Sequence, residues 1–341
     1  MKLTEAPHVE AGQEFFVDRF RAQDAAGVAG LFLAVYGEAY PLKQYYSPEW
    51  LTQANASNEV ISVVARTATG DIVSHMAAYR SAAVNPRLYE LGIGLTLSEY
   101  RAQQASSRIG DCLTGMLPSL ALDGVYGEAV CNHTGMQKIS YLMNLVDTAV
   151  EIDLMPAEAY AAEKSAPGRV SCLFNFRSLV DVPQTLHVPQ ACLEAVRFIL
   201  EAVPGARTIA PATLAPGVAE SSIETKIFDF AAVSRCQVIV CGEDIAAALE
   251  RMEQLADEKQ CTTRQVFLNL ADPGIGRAAE LLRARGYSLA GLTPRWFGGD
   301  GLLLQKMLHA PGFSQVKLCH ERARQLLALV EADWHEVNGT A

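Results

Sequence analysis

Positive charge is scarce in this chain. Its 341 residues carry 28 Lys and Arg against 38 Asp and Glu, a formal net charge of −10. A surface of that sign repels a phosphate backbone, so nucleic acid is excluded as the main partner. Long apolar runs are missing as well. The longest aliphatic stretches, such as Val28–Val35, fall far short of the roughly 20 residues a spanning helix needs, which argues against a membrane segment. The opening Met-Lys-Leu-Thr-Glu-Ala-Pro-His has no apolar centre, so no secretory leader is expected and the chain is expected in the cytoplasm. The eight cysteines form no Cys-x-x-Cys pair, and Cys236 and Cys241, the nearest two, have no histidine beside them. A zinc or disulfide framework is therefore not expected; the cysteines read as reduced core residues and no metal is implied.

Apolar residues are plentiful: half the chain is hydrophobic, and Gly 25 with Pro 15 is ordinary usage. At roughly 150 residues per domain the length suits two folded domains with real cores. Residues 14–20 read as a strand. Asp24 then stands as an N-cap ahead of Val28, Leu31, Phe32 and Val35 at helical spacing. A second helix is expected near 48–56. Strands follow over Glu59–Thr67, Ile72–Arg80 and Leu88–Leu97, the first two joined by Thr69-Gly70-Asp71. A helix near 104–122, interrupted at Pro118, leads to a strand over Gly124–Cys131, a helix over Thr134–Met143, and strands over Val146–Asp153 and Val170–Phe176. Three antiparallel strands ahead of a β-α-β unit predict an α+β fold, a mixed and mostly antiparallel sheet flanked by helices.

A loop with Pro183 and Pro189 is expected to divide the chain into halves 1–182 and 183–341. The second half predicts a helix near 189–202 and a proline-containing loop, then strands near 222–230 and 235–241. A helix over 244–259, a strand over Arg264–Leu270, a helix over Gly276–Arg285 and strands over Tyr287–Trp296 and Leu302–Leu308 follow. A helix near 319–336 closes the chain.

The segment from Glu90 to Ile109 carries the clearest chemical signal. It reads as strand, tight turn and amphipathic helix. At such a junction successive backbone N–H groups and the positive end of the helix dipole face outward, which suits a pyrophosphate. Arg101 and Arg108 can add charge-assisted bonds. An ordinary strand-to-helix turn with solvated arginines has the same pattern.

The first half resembles the GNAT superfamily of N-acetyltransferases, which use acetyl-CoA. In that family the fourth strand runs into a loop of the form Arg/Gln-x-x-Gly-x-Gly/Ala. Arg101, Ala102, Gln103, Gln104, Ala105 and Ser106 fall on it, with Gln104 at the first glycine and Ser106 at the second small residue. Val125–Cys131 followed by Asn132 and Gln137 resembles the start of the family's second motif. Its Tyr-x-x-x-Gly-Phe ending falls on Ser140, Asn144 and Leu145, with Tyr141 one place from the tyrosine.

The resemblance implies acetyl-CoA as co-substrate, held by Gln103, Gln104, Ala105, Ser106, Ser107, Arg101, Arg108 and Asn132. The N–H groups of Leu95 and Leu97 would polarise the acetyl carbonyl. Tyr141 would protonate the departing thiolate, with a structural aromatic role equally open. The base is open among Glu90, Glu128 and His133. The acceptor would be a small-molecule or peptide amine, attacked directly, and a homodimer is among the assemblies this reading admits. The second half also resembles the family, since Val266–Pro273, the helix to Arg285 and Gly286-Tyr287 follow the second motif. Gly274-Ile275-Gly276-Arg277 then lies within that motif's helix, and no first-motif loop precedes it. A degenerate second copy is expected. The rival reading on the same fold is a non-catalytic acyl-CoA-binding or protein-interaction module.

Overall fold

The computed structural model describes residues 9–38, 40, 42–157 and 168–339. Residues 1–8, which bear on the leader reading, lie outside the described residues. By compactness the chain divides into two units, one running to Gly127 and including Tyr141–Asn144, the other holding Glu128–Ser140 and Leu145 onward. The fold is mixed α+β with mostly antiparallel pairing.

The first unit opens with β1 (Phe15–Arg19), α1 (Ala25–Tyr36) and α2 (Pro48–Ala56). Helix α2 starts where the sequence placed it, because the Ser47 hydroxyl accepts from Trp50 N–H at 3.2 Å and Pro48 occupies the first turn. Asp24 precedes α1 but does not cap it. Its carboxylate is buried and takes Arg66 Nε at 2.7 Å and the Arg21 N–H at 2.7 Å. Strands β2 (Val60–Thr67), β3 (Ile72–Tyr79) and β4 (Leu88–Thr96) form the expected antiparallel meander, with β1 on its outer edge. Helix α3 (Ala105–Met116) ends ahead of Pro118, which sits in a short 3-10 turn. It feeds β5 (Gly124–Val130), which joins β4 in parallel. Helices α1 and α2 bury Val28, Leu31, Phe32 and Leu51 against Val64, Ile72 and Leu95. Each such side chain contributes about 1.5–3 kcal/mol by leaving water.

The second unit takes the end of β5, α4 (Gly135–Leu142), β6 (Val146–Met155) and β7 (Val170–Ser178). It continues with β8 (Gln184–Val188), α5 (Leu193–Leu200), β9 (Arg207–Pro211), β10 (Ser222–Phe228), β11 (Val233–Val240), α6 (Ile245–Glu258), β12 (Thr263–Asn269), α7 (Ile275–Arg283), β13 (Ser288–Thr293), β14 (Gly301–Met307) and α8 (Glu321–Asn338). Strands β8 and β9 pair in parallel where the prolines predicted loops. Pro211 is tolerated because it closes the last pair of that short sheet. The Gly274–Arg277 stretch enters α7, as the spacing to Gly286 required.

Strand order exposes a repeat. Strands β3, β4, β5, β7 and β6 lie in that order, and so do β10, β11, β12, β14 and β13, with the second and third strands parallel in each. Among the described residues the second series has no counterparts of β1 and β2 in the sheet. Within the second unit the last strands of the two series meet, β6 against β13, antiparallel at Ala149↔Gly291.

Candidate functional site

Strand β4 lies inside its sheet, between β3 and β5, yet Glu90–Ile93 are only half-buried and Gly94 is exposed. The reason is a divergence of strands. Among the described residues, β4 pairs with β5 at Leu88↔Gly124, Tyr89↔Val125 and Glu90↔Tyr126, while β4 itself continues to Thr96. The opening therefore starts at Glu90. In the repeat, by contrast, β11 and β12 stay paired from Val233↔Thr263 through Val238↔Leu268, and no such opening forms.

A bulge shapes the open strand. The β3–β4 register runs Tyr79↔Glu90, Ala78↔Leu91 and Ala77↔Gly92, and resumes at His75↔Leu95 and Ser74↔Thr96. Ile93 and Gly94 together face Met76, and Ile93 takes a φ of 56°. A β-branched residue in the left-handed region costs on the order of 1–3 kcal/mol, which surrounding contacts must offset. The extra residue also reverses the alternation. Glu90 and Gly92 thereby share a face with Leu95, and with His75 and Tyr79 of β3; this is the face covered by α1 and α2. Thr96 and Ser74 turn to the other face, where α3 lies.

On the α1 side Glu90 is enclosed by phenols. Tyr79 Oη donates to its Oε1, and Tyr126 Oη donates to its Oε2 at 3.2 Å. Gly92 makes room for the first of these, since a Cβ there would stand 3.0 Å from Tyr79 Oη. Burial, and after it the Glu90 charge and hydrogen bond, push the Tyr79 phenol well above its ordinary range. Burial does the same to Tyr40 and Tyr45, with Glu90 contributing to both. The phenols stay protonated and act as donors.

On the α3 side the loop keeps the shape its glycine would give. Gln104 has φ 58° and ψ 22°, left-handed, and precedes α3 without capping it through its side chain. Its carbonyl accepts the Arg108 N–H at 3.1 Å, so the first-turn donors left to a ligand are those of Ala105, Ser106 and Ser107. Gln103 ends the preceding 3-10 turn, and the Ser107 hydroxyl returns to Gln104 O at 2.9 Å. Ser106 is tied to the sheet. Ser74 Oγ donates to Leu95 O at 3.0 Å, Thr96 Oγ1 must then donate to Ser74 at 2.6 Å, and Ser106 Oγ to Thr96 at 3.0 Å. The Ser106 proton thus faces inward. A cavity of about 390 Å³ lies beside the loop, lined by Gly12–Phe16, Gln103 and Arg108.

Several sequence assignments change. Arg108 does not flank the loop with a free guanidinium: it lies over the Phe15 ring at 4.5 Å and reaches Phe15 O at 3.4 Å. Arg101 is exposed, with Nε 3.4 Å from Thr96 O. The Leu97 N–H donates to Val73 O at 3.0 Å, and ladder alternation turns the Leu95 N–H toward β3 as well, so neither faces the opening. The peptide that turns to the opposite edge is that of Thr96. Glu128 belongs to another group: its Oε1 takes Arg235 Nη2 at 2.8 Å, beside Glu151 and Gln265 in the second unit. A carboxylate held by a buried guanidinium is no free base. His133 is exposed and accepts the Gly135 N–H at 3.1 Å, a local turn contact at the start of α4. Asn132 is buried next to it in sequence. Tyr141 is half-buried on the last turn of α4, and Asn144 just beyond it is left-handed at φ 60°, where the family pattern has glycine.

The site residues that the sequence did not single out are Tyr79, Tyr126, Thr96 and His75. Tyr79 and Glu90 were findable as a cross-strand pair once the register was known; the bulge hid it. Burial pushes the thiols of Cys131, Cys192 and Cys236 up to about 12, so none of them offers a thiolate near neutrality. Among the described residues no helix is long and apolar enough to cross a membrane, and no group of three His, Cys, Asp or Glu is placed to hold a metal ion.

No protein-family model and no curated protein matches this chain. Solved structures do. A ribosomal-protein-S5-alanine acetyltransferase from Vibrio fischeri is similar over 49% of this chain and 94% of its own, at 13% identity and a TM-score of 0.39. Mutant forms of a spermidine/spermine N-acetyltransferase from Vibrio cholerae are similar over 49% and 95%, at 8% identity and 0.38. An N-acetyltransferase from Staphylococcus aureus covers 49% and 99%, at 8% identity and 0.39. The likeness to GNAT acetyltransferases thus spans about half the chain and concerns its path. What the site can do rests on its own residues.

Proposed function

We propose that the first half binds acetyl-CoA and transfers its acetyl group directly to an amine. The observation that carries this reading is the opening of β4 from β5 at Glu90, with a carboxylate on one face and a helix N-terminus on the other. The fit to the co-substrate is physical. Three first-turn N–H groups and the α3 dipole suit a diphosphate, and the left-handed Gln104 leaves the loop backbone in the conformation that permits close approach. Bound acetyl-CoA supplies an activated thioester. Glu90 takes the proton of the attacking ammonium, Tyr79 and Tyr126 fix the carboxylate's orientation, and the Thr96 N–H is the donor turned toward the opening. Tyr141 remains the proposed acid for the thiolate. The second half, whose corresponding strands stay zipped, is read as a non-catalytic copy.

The test is calorimetry with acetyl-CoA, then thiol release across a panel of primary amines. Wild type is expected to bind and to turn over at least one amine, and Glu90→Gln to keep binding while losing about 10²–10⁴ in kcat. Binding without turnover of any amine favours the non-catalytic module, for which the inward Ser106 proton and the stacked Arg108 speak; turnover that Glu90→Gln leaves unchanged removes Glu90 as the base.

A further inference from the structure

We infer that His75 is a positioning residue that holds the β4 bulge in the shape the opening requires; this rests on the acetyl-CoA reading. Its ring is buried between β2 and β4, with Phe32 of α1 edge-on at 6.0 Å between centroids. Nδ1 lies 2.9 Å from Ile93 O, the carbonyl of the left-handed bulge residue, and Nε2 lies 2.9 Å from Ser62 Oγ. A carbonyl only accepts, so Nδ1 carries the proton and Nε2 accepts from the Ser62 hydroxyl. Ser62 is itself anchored, its N–H donating to Asn55 Oδ1 at 2.9 Å and its carbonyl taking the Phe20 N–H at 2.9 Å. A line of hydrogen bonds therefore runs from α2 through β2 and the imidazole to Ile93.

The consequence is specific to β4. The bulge cannot pair its Ile93 carbonyl within the regular ladder, and an unpaired carbonyl beneath α1 would favour realignment of β4 against β3. Realignment by one residue returns Glu90 and Leu95 to opposite faces and takes the Thr96 peptide out of its place. The imidazole supplies the missing donor.

Two substitutions divide the imidazole's contacts. His75→Asn puts an amide nitrogen where Nδ1 stands and keeps the donor to Ile93; His75→Gln reaches toward Ser62 and leaves Ile93 without it. Each is measured for acetyl-CoA affinity, for amide exchange over Gly92–Thr96 and for Tm. His75→Gln is expected to speed exchange in that segment and to weaken acetyl-CoA, each by about tenfold or more, while His75→Asn stays within about threefold of wild type at a similar Tm. If neither folds, Ser62→Ala leaves the ring in place, and exchange is expected to rise over Gly92–Thr96 and not over β2. Equal losses in Asn and Gln that follow Tm, or an exchange rise shared by β2, overturn the inference. A wild type that fails to bind acetyl-CoA sinks the functional reading, whereas the exchange difference still decides the role of His75.

Discussion

Replacing Gln104 by glycine should improve both the fold and its ligand site. The residue stands at φ 58°, ψ 22°, where a Cβ costs on the order of 1–2 kcal/mol. Glycine removes that cost but adds about 0.4–1 kcal/mol of unfolded-chain entropy, so the net gain is about 0.5–1 kcal/mol. Nothing is lost in exchange, because the exposed Gln104 side chain makes no capping bond. For a ligand at the α3 N-terminus, that side chain must be ordered or moved aside, a term of about 0.5–1.5 kcal/mol, or roughly 2–10-fold in Kd. Gln104→Ala separates the two effects, since it trims the chain and keeps the Cβ. The assays are urea unfolding and acetyl-CoA calorimetry on the three proteins. The expected order of stability is Gly above both Gln and Ala, and both variants should bind more tightly than wild type. A destabilised Gln104→Gly, or weaker binding by Gln104→Ala, would refute the reasoning: the side chain would then be contributing contacts rather than obstructing them.

Acid should weaken the fold through His75, whose burial lowers its folded pKa to about 4 from 6.5. Between those values the unfolded chain binds the proton and the native one does not, so stability falls as pH drops from about 6.5 to 4, by about 3 kcal/mol. In His75→Asn that component should vanish from the difference between denaturation at pH 7 and pH 4; an identical difference in both proteins would count against it. Arg207→Met should destabilise the second unit by about 3–5 kcal/mol, because it leaves the buried Asp300 carboxylate without the Nε that meets it at 2.6 Å. A loss below about 1 kcal/mol in urea unfolding would contradict this. Gly291→Ala should be still more disruptive. Gly291 sits at φ 142°, and its added Cβ would fall 2.2 Å from Thr148 O and 2.5 Å from Ala149 Cα, so a soluble variant with unchanged Tm would show the β6–β13 contact to be dispensable.

Much of the fold was legible because periodicity and caps are local. The helix expected near 48–56 is α2, with Pro48 in its first turn, whereas α3 stops at Met116, ahead of Pro118 and short of the expected 122. The turn into α3 was legible through its position and misleading in its residues. Gln104 and Asn144 replace glycines of the family pattern, yet both adopt the left-handed backbone the glycines would provide. Long-range partners were not legible. Glu128 looked like a base because Arg235, which holds it, is 107 residues away, and Arg108 looked free because Phe15 is 93 residues away. The bulge at Ile93 was invisible for a different reason: no rule of composition asks an isoleucine to turn left-handed, and the His75 imidazole that meets its carbonyl comes from another strand. Strands β8 and β9 were masked by prolines that happen to sit at the margins of the short sheet.

The β6–β13 contact bears on how the protein behaves when dilute. Two copies of such a sheet on separate chains, joined through these edge strands, would part as concentration fell below their dissociation constant. Here both strands belong to one chain, and tethered partners meet at effective concentrations on the order of millimolar whatever the bulk value. The junction persists at any expression level. It also occupies peptide groups of β6 and β13 that would otherwise lie open to pairing with other chains.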